Sequence, residues 1–358
     1  MTNEPALIGQ HAVTRGSRIT GVVACLPNRQ VLNAEFEADF GREAIDDVTK
    51  MIGVHARHWV DDTTTTADLC QAAAEHLLTE LGWAADTVDA LIFLSQTPDY
   101  RLPATACALH GKLKMRPGAI AFDVNLGCSG YPYALWLAQM MVQSGAARRV
   151  LLAVGDTISR TVDRNDRATA LLFGDAGTAT AIEADASAQS DVQASHFILG
   201  SDGAGASNLI IPEGGFRRHT AEDDGRWQGK DLSCLYMDGG QVFNFTLQAV
   251  PALIASCVTA SGRPLEQHDA FLFHQANQFM LKHLVKKAKL PIDRVPINID
   301  KVGNCSSASI PLLMCTELAT RLSGESLTLA MFGFGVGYSW AGASVPVGHL
   351  SCVSIIYL

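Results

Sequence analysis

The chain has 358 residues, 48% of them hydrophobic, with a net charge of −9 and a pI of about 5.6. That is enough apolar material for one large domain or two tightly joined halves. The acidic balance argues against nucleic-acid binding, which advertises a basic surface. Nine cysteines, odd in number and scattered without a C-x-x-C pair, argue against a disulfide framework or a zinc site and for a reducing compartment. Residues 1–16 read as a loose polar lead-in, with no basic stretch before an apolar core, so no signal peptide is expected. No apolar run approaches the roughly 18 residues of a membrane span. The expected location is the cytoplasm.

In chain order, residues 19–25 predict a first strand, closed by Leu26-Pro27-Asn28. Residues 34–51 are helical and acidic and break at Gly53. The Thr63–Thr66 run caps a helix reaching Leu81, with Gly82 as its stop. Residues 91–94 predict a buried strand, and a helix precedes Pro117. Residues 119–124 are an apolar strand that stops at Gly127-Cys128-Ser129-Gly130. A helical pattern (Ala134, Leu135, Leu137, Ala138, Met141, Val142) follows and closes at Gly145. Strands at 150–154 and 178–182 flank a charged loop, Asp163 to Arg167, and the turn Phe173-Gly174-Asp175-Ala176-Gly177.

The second half repeats this order. A helix over 241–261 leads to a strand at 271–273, the His274 turn and a helix to Lys289. A strand at 295–299 leads to Asn304, a helix to Leu322, and strands at 327–331 and 338–345. Asp89-Ala90-Leu91-Ile92-Phe93 echoes Asp269-Ala270-Phe271-Leu272-Phe273, and the helices after Cys128 and Asn304 both end in Ser-Gly. We read a duplicated α/β unit, with an N-terminal half 1–186 carrying the cysteine and a C-terminal half 187–358 carrying the histidine and asparagine. Continuous apolar runs suit parallel-rich sheets buried on both faces.

Three turns carry the chemistry. Cys128 falls between a strand and a helix, where unpaired N–H groups and the positive dipole end favour a thiolate. The same residue could be a buried structural cysteine. His274 ends a short apolar strand and could be a satisfied core histidine, and Asn304 could simply cap the following helix. Cys, His and Asn on three separate loops nevertheless make up the composition of an acyl-transfer site.

The motifs Gly127-Cys128-Ser129-Gly130, His274-Gln275-Ala276-Asn277, Gly303-Asn304-Cys305-Ser306-Ser307-Ala308-Ser309-Ile310-Pro311 and Phe334-Gly335-Val336-Gly337-Tyr338-Ser339-Trp340 resemble the 3-oxoacyl-acyl-carrier-protein synthase III family of thiolase-fold condensing enzymes. The resemblance runs from about residue 19 to residue 345. It implies a thiolase-like, duplicated αβαβα layered fold, a homodimer and an acyl-cysteine intermediate. Cys128 would be the acylated nucleophile, while His274 and Asn304, as hydrogen-bond donors, would hold the carbonyl of a malonyl-type thioester during decarboxylation. The N–H of Cys128 and one from Gly335, Val336 or Gly337, expected to be that of Val336, would form the oxyanion hole.

The resemblance also makes Arg167, Phe173 and Gln275 substrate contacts and Lys286 and Lys287 a docking site for acyl carrier protein. The plain reading of those lysines is a solvated helix face. No metal and no cofactor is implied; acyl-coenzyme A or acyl-carrier protein and a malonyl-type thioester are substrates. The chain departs from the family where a Trp and an Arg clamp the adenine of coenzyme A, having Asp47 and Met51 there, and where an Arg follows the histidine motif, having Phe279. Three other readings compete with decarboxylative condensation: acyl transfer to an oxygen or nitrogen acceptor on the same fold, a papain-like protease, and a non-catalytic subunit of a condensing heterodimer. The protease lacks its C-G-S-C-W signature here, and a non-catalytic subunit usually loses catalytic residues, of which none is missing.

Overall fold

The computed structural model describes residues 8–217, 225–227 and 229–358. Its main strands are β1 (Gln10–Thr14), β2 (Ser17–Leu26), β3 (Ala90–Leu94), β4 (Ile120–Val124), β5 (Arg149–Asp156), β6 (Ala176–Ala184), β7 (Ser195–Ser201), β8 (Ala270–Phe273), β9 (Leu327–Gly335), β10 (Ser339–Val347) and β11 (Cys352–Tyr357). They form two sheets, one ordered β11-β2-β6-β5-β3-β4 and the other β1-β7-β10-β9-β8. Among the described residues, only the strand pairs β3/β4, β3/β5, β8/β9 and β11/β2 are parallel. The sheets are therefore mixed rather than parallel-rich. Their central strands are nonetheless buried on both faces, as the unbroken apolar runs require.

Both faces are covered by helices. Those used below are α1 (Thr66–Leu81), α2 (Gly130–Gln143), α3 (Gly239–Ser261), α4 (Gln278–Ala288) and α5 (Ser309–Glu317). Leu135, Ala138, Ile310, Leu313 and Met314 of α2 and α5 share one core with Val22, Ile92 and Leu152 of the first sheet and Leu272, Leu329 and Ala343 of the second. Leu69, Ala73 and Leu77 of α1 cover the outer face of the first sheet. Val250, Leu253, Leu281 and Leu284 of α3 and α4 cover the outer face of the second. The result is five layers, helix, sheet, helix, sheet, helix. Strands before and after residue 187 segregate between the sheets except at the chain ends, where β1 joins the second sheet and β11 the first.

Local signals set most boundaries. Thr65 caps α1 by accepting from the Asp68 N–H in a reciprocal box, and Gly82, left-handed at φ 62°, ends it. Asn277 caps α4, accepting from the Met280 N–H at 2.7 Å. Other expectations fail for identifiable reasons. The polar lead-in holds β1, which pairs antiparallel with β7; residues 1–7 of that lead-in lie outside the described residues. No strand forms over 295–299: Pro296 lacks a ladder donor, and the Asn298 N–H is taken by Gln275 Oε1 at 3.3 Å. The helix over 34–51 is broken at Gly41, whose φ of 77° restarts it as Arg42–Ile52. The helix after Asn304 divides at Leu318.

The C-terminal tail also gains an account, since β11 pairs with the outer edge of β2. Finally, α3, with 23 residues and a mean hydropathy of 1.5 over 18 of them, is long and apolar enough to span a membrane by composition alone. Its apolar face, Ala249, Val250, Leu253, Ile254 and Cys257, instead packs as an outer layer.

Candidate active site

The site lies where strands of both sheets end. In the first sheet the parallel strands β3, β4 and β5 run out into Ser95-Gln96, the Cys128 turn and Asp156. In the second, β8 and β9 run out into His274 and Gly335. Ligand sites of open α/β sheets form outside such carboxyl ends. Asn304 is joined to this group through the backbone: its N–H donates to Leu172 O at 2.9 Å, and its carbonyl accepts from the Gly174 N–H at 3.1 Å.

Cys128 is buried at the junction of two cavities. A small one of about 90 Å³ brings it together with His274, Asn304, Phe173 and Gly335. A larger one of about 330 Å³ holds Gln96, Thr97, Ile158, Leu235, Ser306 and Val336. Gly335 is needed for close approach: a Cβ there would lie 3.0 Å from Cys128 Sγ. The N–H groups of Val336 and Cys128 both favour charge on the sulfur. They lose to burial, seconded by the negative charge of Asp156, and the thiol is pushed up to about 12. The thiolate expected from the helix start is therefore not the resting form, because desolvation outweighs the dipole.

His274 is fully enclosed, and burial pulls its imidazole down to about 4. Its Nδ1 lies 3.2 Å from the Ser306 carbonyl. A carbonyl oxygen can only accept, so the neutral ring keeps its proton on Nδ1 and carries a lone pair on Nε2. In its neutral state the ring therefore has no N–H left to serve as the hydrogen-bond donor expected of His274, since its one N–H is spent on the Ser306 carbonyl. Asn304 is oriented by its own turn: Oδ1 accepts from the Ser306 N–H at 2.9 Å, and Nδ2 donates weakly to Ala276 O at 3.4 Å. Fixing Oδ1 in this way leaves the amide N–H pair as the working end. Ser306, at φ 47°, adopts the left-handed conformation that lets one residue serve both neighbours.

The remaining expected contacts divide. Phe173 lines both cavities, and its carbonyl accepts from Trp59 Nε1 at 2.9 Å. Gln275 lines neither; it is buried, donating to Phe273 O at 3.0 Å and accepting from the Asn298 N–H, so its amide braces the turn. Arg167 is exposed in a separate open cleft of about 410 Å³ with Phe40, Arg42, Glu43 and Asp47. Met51 is exposed, and Phe279 stacks on Phe243 at 5.9 Å. Lys286 and Lys287 are exposed on α4, where Lys287 Nζ donates to Leu247 O at 2.7 Å.

Sequence reading missed Asp156, Ser306 and the apolar cavity wall of Leu209, Met237 and Val242. Asp156 had a usable signal, a carboxylate directly after an apolar strand and at the same sheet end as Cys128. The wall residues had none, since they reach the site only through long connections.

Known proteins resemble this chain along most of its length. Residues 122–203 match the model of the family described as 3-oxoacyl-[acyl-carrier-protein (ACP)] synthase III, and residues 258–347 match its C-terminal model. A beta-ketoacyl-[acyl-carrier-protein] synthase III of Xanthomonas campestris is 33% identical over 330 residues, covering 91% of this chain and 97% of that one. The crystal structure of a 3-oxoacyl-(acyl-carrier protein) synthase from Burkholderia xenovorans superposes with a TM-score of 0.95 at 56% identity, covering 98% of this chain and 99% of the other. The synthase III of Pseudomonas aeruginosa superposes with a TM-score of 0.82 at 27% identity, covering 94% and 99%. Shared sequence along nearly the whole length, on the same thiolase fold, places the chain in the 3-oxoacyl-acyl-carrier-protein synthase III family of condensing acyltransferases.

Proposed function

We propose that the chain joins an acyl primer to a malonyl-type thioester by decarboxylative Claisen condensation, through an acyl-Cys128 intermediate, to give a 3-oxoacyl thioester. One observation carries this reading: Cys128, His274 and Asn304 line a single small cavity beside the Gly335 loop. Cys128 Sγ takes the acyl group while the N–H groups of Cys128 and Val336 hold the developing oxyanion. The malonyl-type thioester then enters the emptied position, with its carbonyl oxygen against Asn304 Nδ2. Its carboxylate brings a negative charge near His274, which favours the imidazolium. That form donates from Nε2 as well as Nδ1, and it stabilises the enolate left when carbon dioxide departs. The carbanion attacks the acyl-Cys128 carbonyl and releases the sulfur.

Acyl transfer to an oxygen or nitrogen acceptor needs neither the asparagine amide nor an anion-responsive imidazole, so the cavity is over-equipped for it. Incubation with a panel of acyl-coenzyme A and acyl-carrier-protein thioesters, followed by intact-mass spectrometry and measurement of carbon dioxide release, tests the proposal. An acyl adduct at Cys128 without malonyl-dependent carbon dioxide release points to the acyltransferase. We also propose a cytoplasmic homodimer. Its nine cysteines are all free thiols, and among the described residues β4 closes the first sheet with an unpaired edge whose side chains are half-exposed. A second copy covers such an edge.

A further inference from the structure

The loop that carries Val336 hangs between two glycines. Gly335 and Gly337 stand at φ 156° and 134°, conformations that a Cβ opposes and that glycine holds only loosely. The ladder of β9 and β10 runs up to Gly335 and Ser339, and the Tyr338 N–H donates to Asp202 O at 2.8 Å. These contacts fix the two ends of the loop. Val336 itself is held by a side chain: its carbonyl accepts from Ser339 Oγ at 2.8 Å. Ser339 Oγ in turn lies 2.6 Å from Ser129 Oγ, 210 positions earlier in the chain and directly beside the nucleophile.

Counting protons gives this pair of bonds a direction. A carbonyl oxygen only accepts, so the single Ser339 hydroxyl proton goes to Val336. The proton between the two hydroxyls is then that of Ser129. Both serines are buried, and both distances are those of ordinary O–H···O bonds. Ser129 forgoes a local partner to make its bond. It stands at the N-cap of α2, where a serine hydroxyl commonly accepts from an N–H of the first turn, and it makes no such bond. Lower on β9, Gly333 lets the two turns touch: a Cβ there would lie 2.7 Å from both the Cys128 carbonyl oxygen and Ser129 Cα. Backbone packing therefore sets the spacing at Gly333, and the two hydroxyls set it at Val336.

We infer that Ser129 and Ser339 are positioning residues for acylation, whose hydroxyls tie the Val336 carbonyl to the nucleophile turn and so hold the Val336 N–H where the oxyanion forms. The inference rests on the reading of Cys128 as the acylated nucleophile and of the Val336 N–H as an oxyanion donor. Neither serine lines the cavities around Cys128, so neither hydroxyl meets substrate. Their effects differ in size because they act in series. Loss of the Ser339 hydroxyl strands a buried donor on Ser129 and a buried acceptor on Val336. Loss of the Ser129 hydroxyl leaves the bond from Ser339 to Val336 in place and removes only its link to the nucleophile turn.

The test compares two reactions of Cys128: single-turnover acylation by butyryl-coenzyme A or butyryl-carrier protein, read by intact mass, and alkylation by iodoacetamide. Alkylation displaces iodide at a saturated carbon and forms no oxyanion, so it reports on the thiol without the loop. Failure of the wild-type protein to acylate with either donor overturns the nucleophile reading and this inference with it. Given wild-type acylation, Ser339→Ala should slow it by about 10²-fold and Ser129→Ala by about tenfold, with alkylation within about threefold of wild type in both. The double variant should be no slower than Ser339→Ala alone, because Ser129 acts only through Ser339. A merely structural role slows both reactions together. Parallel losses, additive losses in the double variant, or acylation within about threefold of wild type in either single variant overturn the proposal. Should Ser339→Ala fail to fold, the split between the two reactions in Ser129→Ala decides.

Discussion

Replacing Gly335 by Ala probes the nucleophile's surroundings with a single methyl group. The new Cβ would sit 2.9 Å from Cys128 Cβ and 3.0 Å from Sγ. Ordinary van der Waals contact between such atoms begins at about 3.5 Å, so the two turns must separate by roughly half an ångström or more. Neither side yields easily. Cys128 is pinned by the Gly130 N–H donating to Gly127 O at 2.7 Å, and by Gly333, where an added Cβ would meet the Cys128 carbonyl at 2.7 Å. The shift is therefore expected in the 335–337 loop, which carries the Val336 N–H away from the sulfur. Overpacking of this kind costs about 1–3 kcal/mol of stability. A misplacement near 1 Å, or the loss of one oxyanion donor, costs about 10²–10³ in rate. Single-turnover acylation of Cys128 by an acyl thioester, followed by mass spectrometry beside a thermal melt, measures both. Acylation within about threefold of wild type in a folded variant refutes the claim that this loop sets the oxyanion geometry.

His274→Ala and Asn304→Ala should both retain acylation of Cys128 and lose malonyl-dependent carbon dioxide release; a folded His274 variant that cannot acylate makes the imidazole the base for the thiol. Light scattering at micromolar concentration should give a dimer, and a fully active monomer contradicts the edge-strand interface, for which an obligate contact buries more than about 2,000 Å². The buried His274 also predicts acid lability. Its folded pKa, about 4, lies below its ordinary 6.5, so the unfolded chain binds more protons in that window and stability falls as pH drops through it. The full loss is about 3 kcal/mol, and urea midpoints at neutral and mildly acid pH, compared with those of His274→Gln, should show a shallower slope in the variant; equal slopes refute it. Asp47 shares the open cleft with Arg167, where the family resemblance places an adenine clamp. Without aromatic stacking, worth about 1–3 kcal/mol, an acyl group on carrier protein should acylate Cys128 faster than the same group on coenzyme A; a clear preference for coenzyme A sinks that reading.

The fold was legible wherever a buried strand or a capped helix advertised itself locally. The apolar runs at β3, β5 and β8, and the Thr65 and Gly82 ends of α1, carry their own punctuation, and the structure follows them. What sequence could not show was pairing between distant segments. Nothing in Gln10–Thr14 reveals that β7, some 185 residues away, offers it an antiparallel edge. The tail strand β11 is equally mute, because its partner β2 lies at the opposite end of the chain. Direction of pairing is likewise non-local: strands buried on both faces look alike whether their neighbours run parallel or antiparallel, and so the mixed sheets were read as parallel-rich.

The site shows the same division at the scale of single atoms. Cys128, His274 and Asn304 are visible because each ends a strand or opens a helix, and glycines or small residues mark the turns. Their charge states are not visible, because those depend on what is packed around them. The helix start near Cys128 suggests a thiolate, yet the sulfur is enclosed, and burial, seconded by the negative charge of Asp156 28 positions on at the end of β5, holds the thiol neutral. The family motif makes the histidine a donor at the thioester carbonyl, yet a backbone carbonyl from Ser306, 32 residues further along, holds the neutral ring's single N–H at Nδ1. A turn motif thus identifies which residues meet, whereas the position of each proton depends on groups supplied by other elements.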